Sequence, residues 1–250
     1  MSARPSTRQQ PASTALVIFA KAPIPGQVKT RLCPDLTEDE AATLHGSFVL
    51  DTLERTKAAV TKFKLPIDRY LACAPSSTHV FFRIMEARHG VTLLDQEGDD
   101  LGQRMRLAFE TLFRRGYRQV CLVGTDVPSL PLTHYREAVE ALTRHDLVLG
   151  PAQDGGYYLI GMTTPHPKLL EDIPWSTDQV LTLTQQKAKV EGLNLTLLPV
   201  WKDVDTIEDL HALIEDCAAD KTRPKQERVY STRTAGTLEL LAKRLRTRQT

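Results

Sequence analysis

A six-residue apolar run, ALVIFA (15–20), constrains the fold more than any other feature of this chain. Polar residues precede it, and a loop with two prolines and a glycine follows. A run this short and without polar alternation marks a strand buried on both faces, which needs helices on each side of its sheet. The pattern continues downstream. Thr37 with Glu40 three residues later reads as a capping box, and Leu44, Phe48 and Leu53 carry on at helical spacing. Further strands are predicted over 67–73, 91–94, 119–123, 146–149, 157–160 and 195–198. Helices are predicted over 79–88, 101–115, 132–143, 177–191 and 206–218, the second with Met105, Leu107, Ala108 and Leu112 inward. The alternation predicts an α/β, Rossmann-like domain with a mostly parallel central sheet and helices on both faces. Ligands of such sheets gather at the carboxyl ends of the strands.

Several function classes recede on composition. No apolar run is long enough to span a bilayer. Residues 1–13 carry Arg4 and Arg8 with no apolar stretch behind them, so they read as a disordered leader or a transit peptide and not as a secretory signal. Cys33, Cys73, Cys121 and Cys217 form no close pair, so neither a zinc site nor a disulfide framework is expected, and a reducing cytoplasm is the default. Residues 219–250 hold nine Lys/Arg against three acids, which leaves the remainder net acidic and argues against a nucleic-acid-binding face there. The organisation expected is a leader (1–13), one domain (14–218) and a basic tail (219–250). Within the tail, KTRPKQER reads as a solvated linker. Residues 234–246 read as a basic amphipathic helix with Leu238, Leu241 and Leu245 on one face. That helix either packs on its own domain, belongs to a disordered tail, or meets a partner or anionic surface.

The unusual segments sit at predicted strand ends. Asp126, in GTDVPSLP (124–131), is placed to hold magnesium or manganese against a diphosphate, or else to stabilise a turn or cap the next helix. Asp205, ahead of Asp203, is a second ligand candidate in WKDVDTIEDL (201–210), where the acids also suit a helix start. Lys21, Lys29 and Arg31 lie in KAPIPGQVKTRL (21–32), a stiff loop suited to phosphate that lacks both the P-loop and the dinucleotide glycine pattern. Gly155 and Gly156 follow Asp154 in QDGGYYLIG, either a close-approach site for a ligand or a tight turn. DDLGQR (99–104) reads as a helix start whose first amides, near Gly102, suit a base or phosphate, or else Asp99 or Asp100 is simply its N-cap. Ser176 or Thr177 is read as a further cap, with the Trp175 indole a candidate for an acceptor pocket. His45, His89, His145 and His211 read as surface or helix residues.

In this order, FAKAPIPGQVKTRL, DLGQRM, GTDVPSLP, DGGYYLIG, PWSTDQVL and DVDTIEDL resemble the GT-A-type transferases associated with arsenosugar biosynthesis. The resemblance spans about 14–213 and extends to the molybdenum-cofactor guanylyltransferases. It extends more closely to 2-phospholactate guanylyltransferase, whose first loop also ends in a Lys-Ser/Thr-Arg-Leu run. It implies one domain of the nucleotide-diphospho-sugar transferase superfamily that binds a nucleotide sugar or a nucleoside triphosphate over its strand ends. Asp126 then corresponds to the metal-binding aspartate and Asp205 to the second acidic residue. Lys21, Lys29 and Arg31 correspond to the phosphate loop, Gly102 to the region beside the base, and Asp154, Gly155 and Gly156 to the sugar or acceptor loop. Two departures stand out: Asp-x-Asp is reduced to Thr125-Asp126, and the tail beyond Lys221 matches none of these motifs.

The expected activity is metal-dependent glycosyl transfer from a nucleotide sugar to a small-molecule acceptor. Mg2+ or Mn2+ would be held by Asp126 and Asp205, with Asp154 as acceptor contact or general base. The alternative is nucleotidyl transfer at the same site with release of pyrophosphate. A non-enzymatic nucleotide sensor acting through the tail is a third reading.

Overall fold

The computed structural model describes residues 12–33 and 35–248. The expected leader therefore lies outside the described residues except for Ala12 and Ser13. Ser13 already accepts the backbone amides of Arg118 and Gln119 at 3.0 and 3.2 Å.

Strand β1 (Thr14–Lys21) occupies the middle of a seven-stranded sheet, flanked by β2 (Ile67–Ala74) and β4 (Gln119–Val123), both parallel to it. Beyond β2 lies β3 (Thr92–Asp95). Beyond β4 come β6 (Tyr157–Met162), β5 (Leu147–Pro151) and β7 (Leu195–Leu197), giving the order β3-β2-β1-β4-β6-β5-β7. Only β6 runs antiparallel to its neighbours. The sheet is thus mostly parallel with helices on both faces, as the alternation of elements predicts.

The apolar run of β1 is divided between the two faces, as the period of two in a strand requires. Leu16, Ile18 and Ala20 join a core with Val49 and Leu53 of α1 (Glu38–Phe63), Phe82 of α2 (Val80–His89) and Tyr135 of α4 (Leu132–Ala141). Ala15 and Val17 join the opposite core with Met105, Phe109 and Leu112 of α3 (Leu101–Arg114) and Ala188 of α5 (Val180–Val190). In α3 the inward face carries Phe109, while Leu107 is only half-buried.

Helix ends follow local chemistry. Thr37 and Glu40 form the reciprocal capping box of α1, and Glu38, Asp39 and Glu40 complement its dipole. Asp100 caps α3 and accepts the Gln103 amide at 2.8 Å. The cap expected at Ser176 or Thr177 is absent. Ser176 has φ +65°, Thr177 turns its hydroxyl to Pro174 O at 2.7 Å, and α5 begins later, behind Gln179.

A third apolar cluster settles the fate of the basic helix. Leu238, Leu241 and Leu245 of α7 (Thr232–Arg248) are buried with Leu44 and Phe48 of α1 and Leu210 and Leu213 of α6 (Ile207–Asp220). The helix packs on its own domain. Among the described residues no helix is long and apolar enough to cross a membrane.

Candidate active site

A cleft of about 520 Å3 opens over the carboxyl ends of β1 and β4. Because β6 is antiparallel, its first residue and not its last lies at this edge, so the turn before Tyr157 joins the loops that follow β1 and β4. Lys21, Lys29, Arg31, Asp126, Asp154 and Gly156 all line the cleft.

Lys29 is the best-anchored of these. It precedes a single 3-10 turn (Thr30–Leu32) and adopts φ +49°, a left-handed conformation unusual for a residue with a Cβ. Its side chain, only 5% exposed, brings Nζ to 2.5 Å from Asp126 Oδ1 and 2.8 Å from Asp205 Oδ1, and donates to Val204 O at 2.6 Å. Burial alone would pull this ammonium down, but Asp126 and Asp205 outweigh it and hold the pKa above its ordinary value. Asp126 shows the mirror image: burial pushes its carboxyl up, and Lys29 chiefly brings it below the usual carboxylate range. Asp126 Oδ1 is fully buried and accepts no hydrogen bond of regular geometry, so its link to Lys29 is a short ion pair. The side chain as a whole is 43% exposed, so the carboxylate also opens to the cleft. The Asp126 carbonyl accepts the Val204 amide at 3.0 Å, which fastens the 201–205 segment beside the turn.

Asp205 belongs to a second group. Carboxylate oxygens of Asp154, Asp203 and Asp205 all lie within 4.8 Å of one another. Asp203 is pushed up to about 6, by burial first and by Asp154 second. Asp154 sits at the lip, its Oδ1 accepting the Gly156 amide at 2.8 Å. Arg31 Nη1 approaches Asp205 Oδ2 at 3.8 Å with its side chain 65% exposed, so it remains open to solvent. Three convergent hard-oxygen donors suit a magnesium or manganese ion. The Lys29 ammonium, held between Asp126 and Asp205, marks a neighbouring cation-sized gap.

Gly102 and Gly155 stand behind the cleft wall and not on it. A Cβ on Gly102 would come within 2.3 Å of Leu170 O and 2.7 Å of Trp175 Nε1, so this glycine lets α3 pack against the indole. Gly155 has φ +87°, and a Cβ there would meet Asp178 O at 2.3 Å. Trp175 itself lines the cleft and packs edge-on against Tyr157, ring centroids 6.4 Å apart.

Among the lining residues that the sequence does not mark as site candidates are His45 and Gln96. His45, read as a surface or helix residue, is 5% exposed, and its Nε2–H donates to Lys21 O at 3.0 Å. Burial lowers its pKa, against the opposing pull of the Asp126 carboxylate. Its one sequence signal is its place between Leu44 and Phe48 on a helix buried around most of its circumference. Gln96, just past β3, donates both amide hydrogens to strand carbonyls, Ala20 O at 3.1 Å and Ala72 O at 2.8 Å. No local pattern announces it.

Comparison with known proteins agrees with this architecture. The family described as "Uncharacterized protein conserved in bacteria (DUF2064)" matches residues 57–177. No curated protein matches the chain. A crystal structure from Desulfovibrio desulfuricans G20, named provisionally as a nucleotide-diphospho-sugar transferase, is 31% identical, with TM-score 0.80, over 94% of this chain and 98% of that one. That coverage is too high to exclude all of 219–250, so the tail, unmatched by the sequence motifs, has at least a partial counterpart there. A cytidylyltransferase from Leptospira borgpetersenii shares the fold at 17% identity and TM-score 0.53, covering 92% of this chain and 94% of that one. A CMP:2-keto-3-deoxy-manno-octonic acid synthetase complexed with CTP does so at 12% identity and TM-score 0.51, covering 81% and 98%.

Proposed function

The chain belongs to the nucleotide-diphospho-sugar transferase family represented by the Desulfovibrio protein, and on that premise we propose that it is a metal-dependent glycosyltransferase. It would transfer a sugar from a nucleotide sugar to a small-molecule acceptor. The observation that carries this reading is the pairing of cations and carboxylates around one cleft: Lys21, Lys29 and Arg31 face Asp126, Asp154, Asp203 and Asp205. Acids alone would repel a diphosphate, and cations alone would leave its counter-ion unheld.

The residues proposed to hold Mg2+ or Mn2+ are Asp126 and Asp205, with Asp203 alongside. When bound, that ion supplies charge neutralisation for a diphosphate leaving group. Lys29 is poised to exchange its carboxylate partners for phosphate oxygens, since its ammonium already lies at the cleft wall. Lys21, at the end of β1, and Arg31, in the 3-10 turn, line the same space and would orient the diphosphate electrostatically. Asp154, exposed at the lip, would touch the acceptor and take its proton. Gly102 and Gly155 support this arrangement by close packing, and Gly156 lets donor or acceptor approach the backbone.

The test is a thermal-shift screen of nucleotides and nucleotide sugars with and without Mn2+, followed by product analysis on whatever stabilises the fold. Sugar transfer from a nucleotide sugar supports the proposal. Pyrophosphate release from a nucleoside triphosphate with no transfer from any nucleotide sugar replaces it with nucleotidyl transfer. Asp126→Ala retaining full metal-dependent turnover would remove Asp126 from the mechanism.

A further inference from the structure

The turn that carries Asp126 (124–131) has little secondary structure of its own. Among its backbone bonds are Gly124 N to Tyr158 O at 2.9 Å and Leu130 N to Val127 O at 3.0 Å. Besides the burial of Val127 and Leu130 in the core, part of its anchoring comes from Arg55 of α1. Arg55 Nε donates to Leu130 O at 2.8 Å, Nη2 donates to the same oxygen and reaches Ser129 O at 3.5 Å, and Nη1 donates to Val229 O at 2.9 Å. All four of these bonds end on backbone carbonyls. A half-buried guanidinium spent on backbone oxygens acts as a cross-link between segments that share no strand or helix.

One end of that cross-link is the C-terminal segment. Val229 and Tyr230 are themselves held by the buried Asp220 carboxylate, Oδ2 accepting their amides at 2.9 and 3.2 Å. The other end is the cleft. Ser129 Oγ accepts the Trp201 indole N–H at 3.0 Å, and three residues further on the Val204 amide donates to Asp126 O. A continuous set of bonds therefore runs from the tail through Arg55 to both acidic segments.

We propose that Arg55 is a positioning residue through which the Val229–Tyr230 segment fixes the Asp126 turn and the 201–205 segment that carries Asp203 and Asp205. The inference adds to the proposed transferase reading a role for residues after α6.

The two tryptophans make the idea directly measurable, because the Trp201 indole N–H resonance reports its bond to Ser129 without any donor or metal present. In the full chain, Arg55→Met is expected to move that resonance while Trp175 stays in place. It should also speed exchange of the Val204 and Leu130 amides by about tenfold or more, as loss of charged-group hydrogen bonds requires. Asp220→Ala should do the same from the tail side, and Arg55→Lys should recover part of the shift. In the unaltered protein, the amides of Val229, Tyr230, Val204 and Leu130 should open as one unit, with matching exchange free energies. An unmoved Trp201 resonance in folded Arg55→Met or Asp220→Ala overturns the proposal. So does rapid exchange at Val229 and Tyr230 with Val204 still protected, a result that remains available even if both variants fail to fold. Because none of these readouts needs turnover, a failed clamp leaves the transferase reading standing, and absent transfer activity leaves the clamp to be judged on its own.

Discussion

Lys29 and Asp126, 97 positions apart in sequence, meet at 2.5 Å, and the same ammonium lies 2.8 Å from Asp205 on its other side. One internal cation thus joins the two aspartates expected to share a divalent ion. Lys29→Met should leave Asp126 Oδ1 buried without a counter-charge. Breaking a buried pair costs about 3–5 kcal/mol, and the partial exposure of Asp126 cuts this to about 1–3 kcal/mol. Mn2+ should then raise the melting temperature of the variant by more than it raises that of the wild type, since the ammonium no longer competes. Equal shifts would show that Lys29 does not guard the cation gap.

The Asp203 carboxyl, pushed up to about 6 by burial and then by Asp154, sets a pH dependence. Between its ordinary value of 3.8 and about 6, the folded chain keeps a proton that the unfolded chain has released. Stability contributed by this group is therefore lost as pH rises through that window. Asp203→Asn cannot ionise, so it should gain on the wild type from about pH 4 to about pH 6 and keep the gain above that. Urea titrations of both proteins across this range give the comparison. Parallel curves would mean that Asp203 titrates normally.

Three glycines should respond differently to alanine. Gly102→Ala forces a methyl against Leu170 O and Trp175, neither of which is a flexible tip, and overpacking of this kind costs about 1–3 kcal/mol. Trp175 fluorescence should change with it. Gly155→Ala combines φ +87° with a 2.3 Å approach to Asp178 O, so it should displace the loop bearing Asp154 and weaken Mn2+ binding. Gly236 on α7 has nothing within 4 Å of a built Cβ, and Gly236→Ala should stabilise the helix by up to about 1 kcal/mol. Melting curves for the three variants separate a packing glycine from an incidental one.

Cysteine reactivity should follow burial. Cys73 and Cys121 are buried and their thiols are pushed up to about 12, and burial also raises Cys217. Cys33 is only partly buried. Iodoacetamide on the native chain should label Cys33 first, and denaturant should release the other three. Early loss of Cys121 would contradict its place in the centre of the sheet.

By itself the sequence determined what depends on near neighbours. The apolar run of β1, the Thr37–Glu40 box and the turn residues before Tyr157 fixed the order of strands and helices and put the polar loops at strand ends, because periodicity, capping and turn chemistry act over a few residues. Tertiary structure alone decided which side chains face one another. Lys29 reaches Val204 across 175 positions, Arg55 reaches Val229 across 174, and His45 is buried because α1 is covered on nearly every side. The same applies to α7, whose leucine stripe suits a partner as well as its own domain, and which α1 and α6 cover. A charged or apolar face records that it needs a counterpart, but the identity of that counterpart is set by how the sheet and helices stack. The tertiary structure thus made Lys29 a partner of Asp126 and Asp205, whereas the sequence marked it only as one cation in a stiff loop.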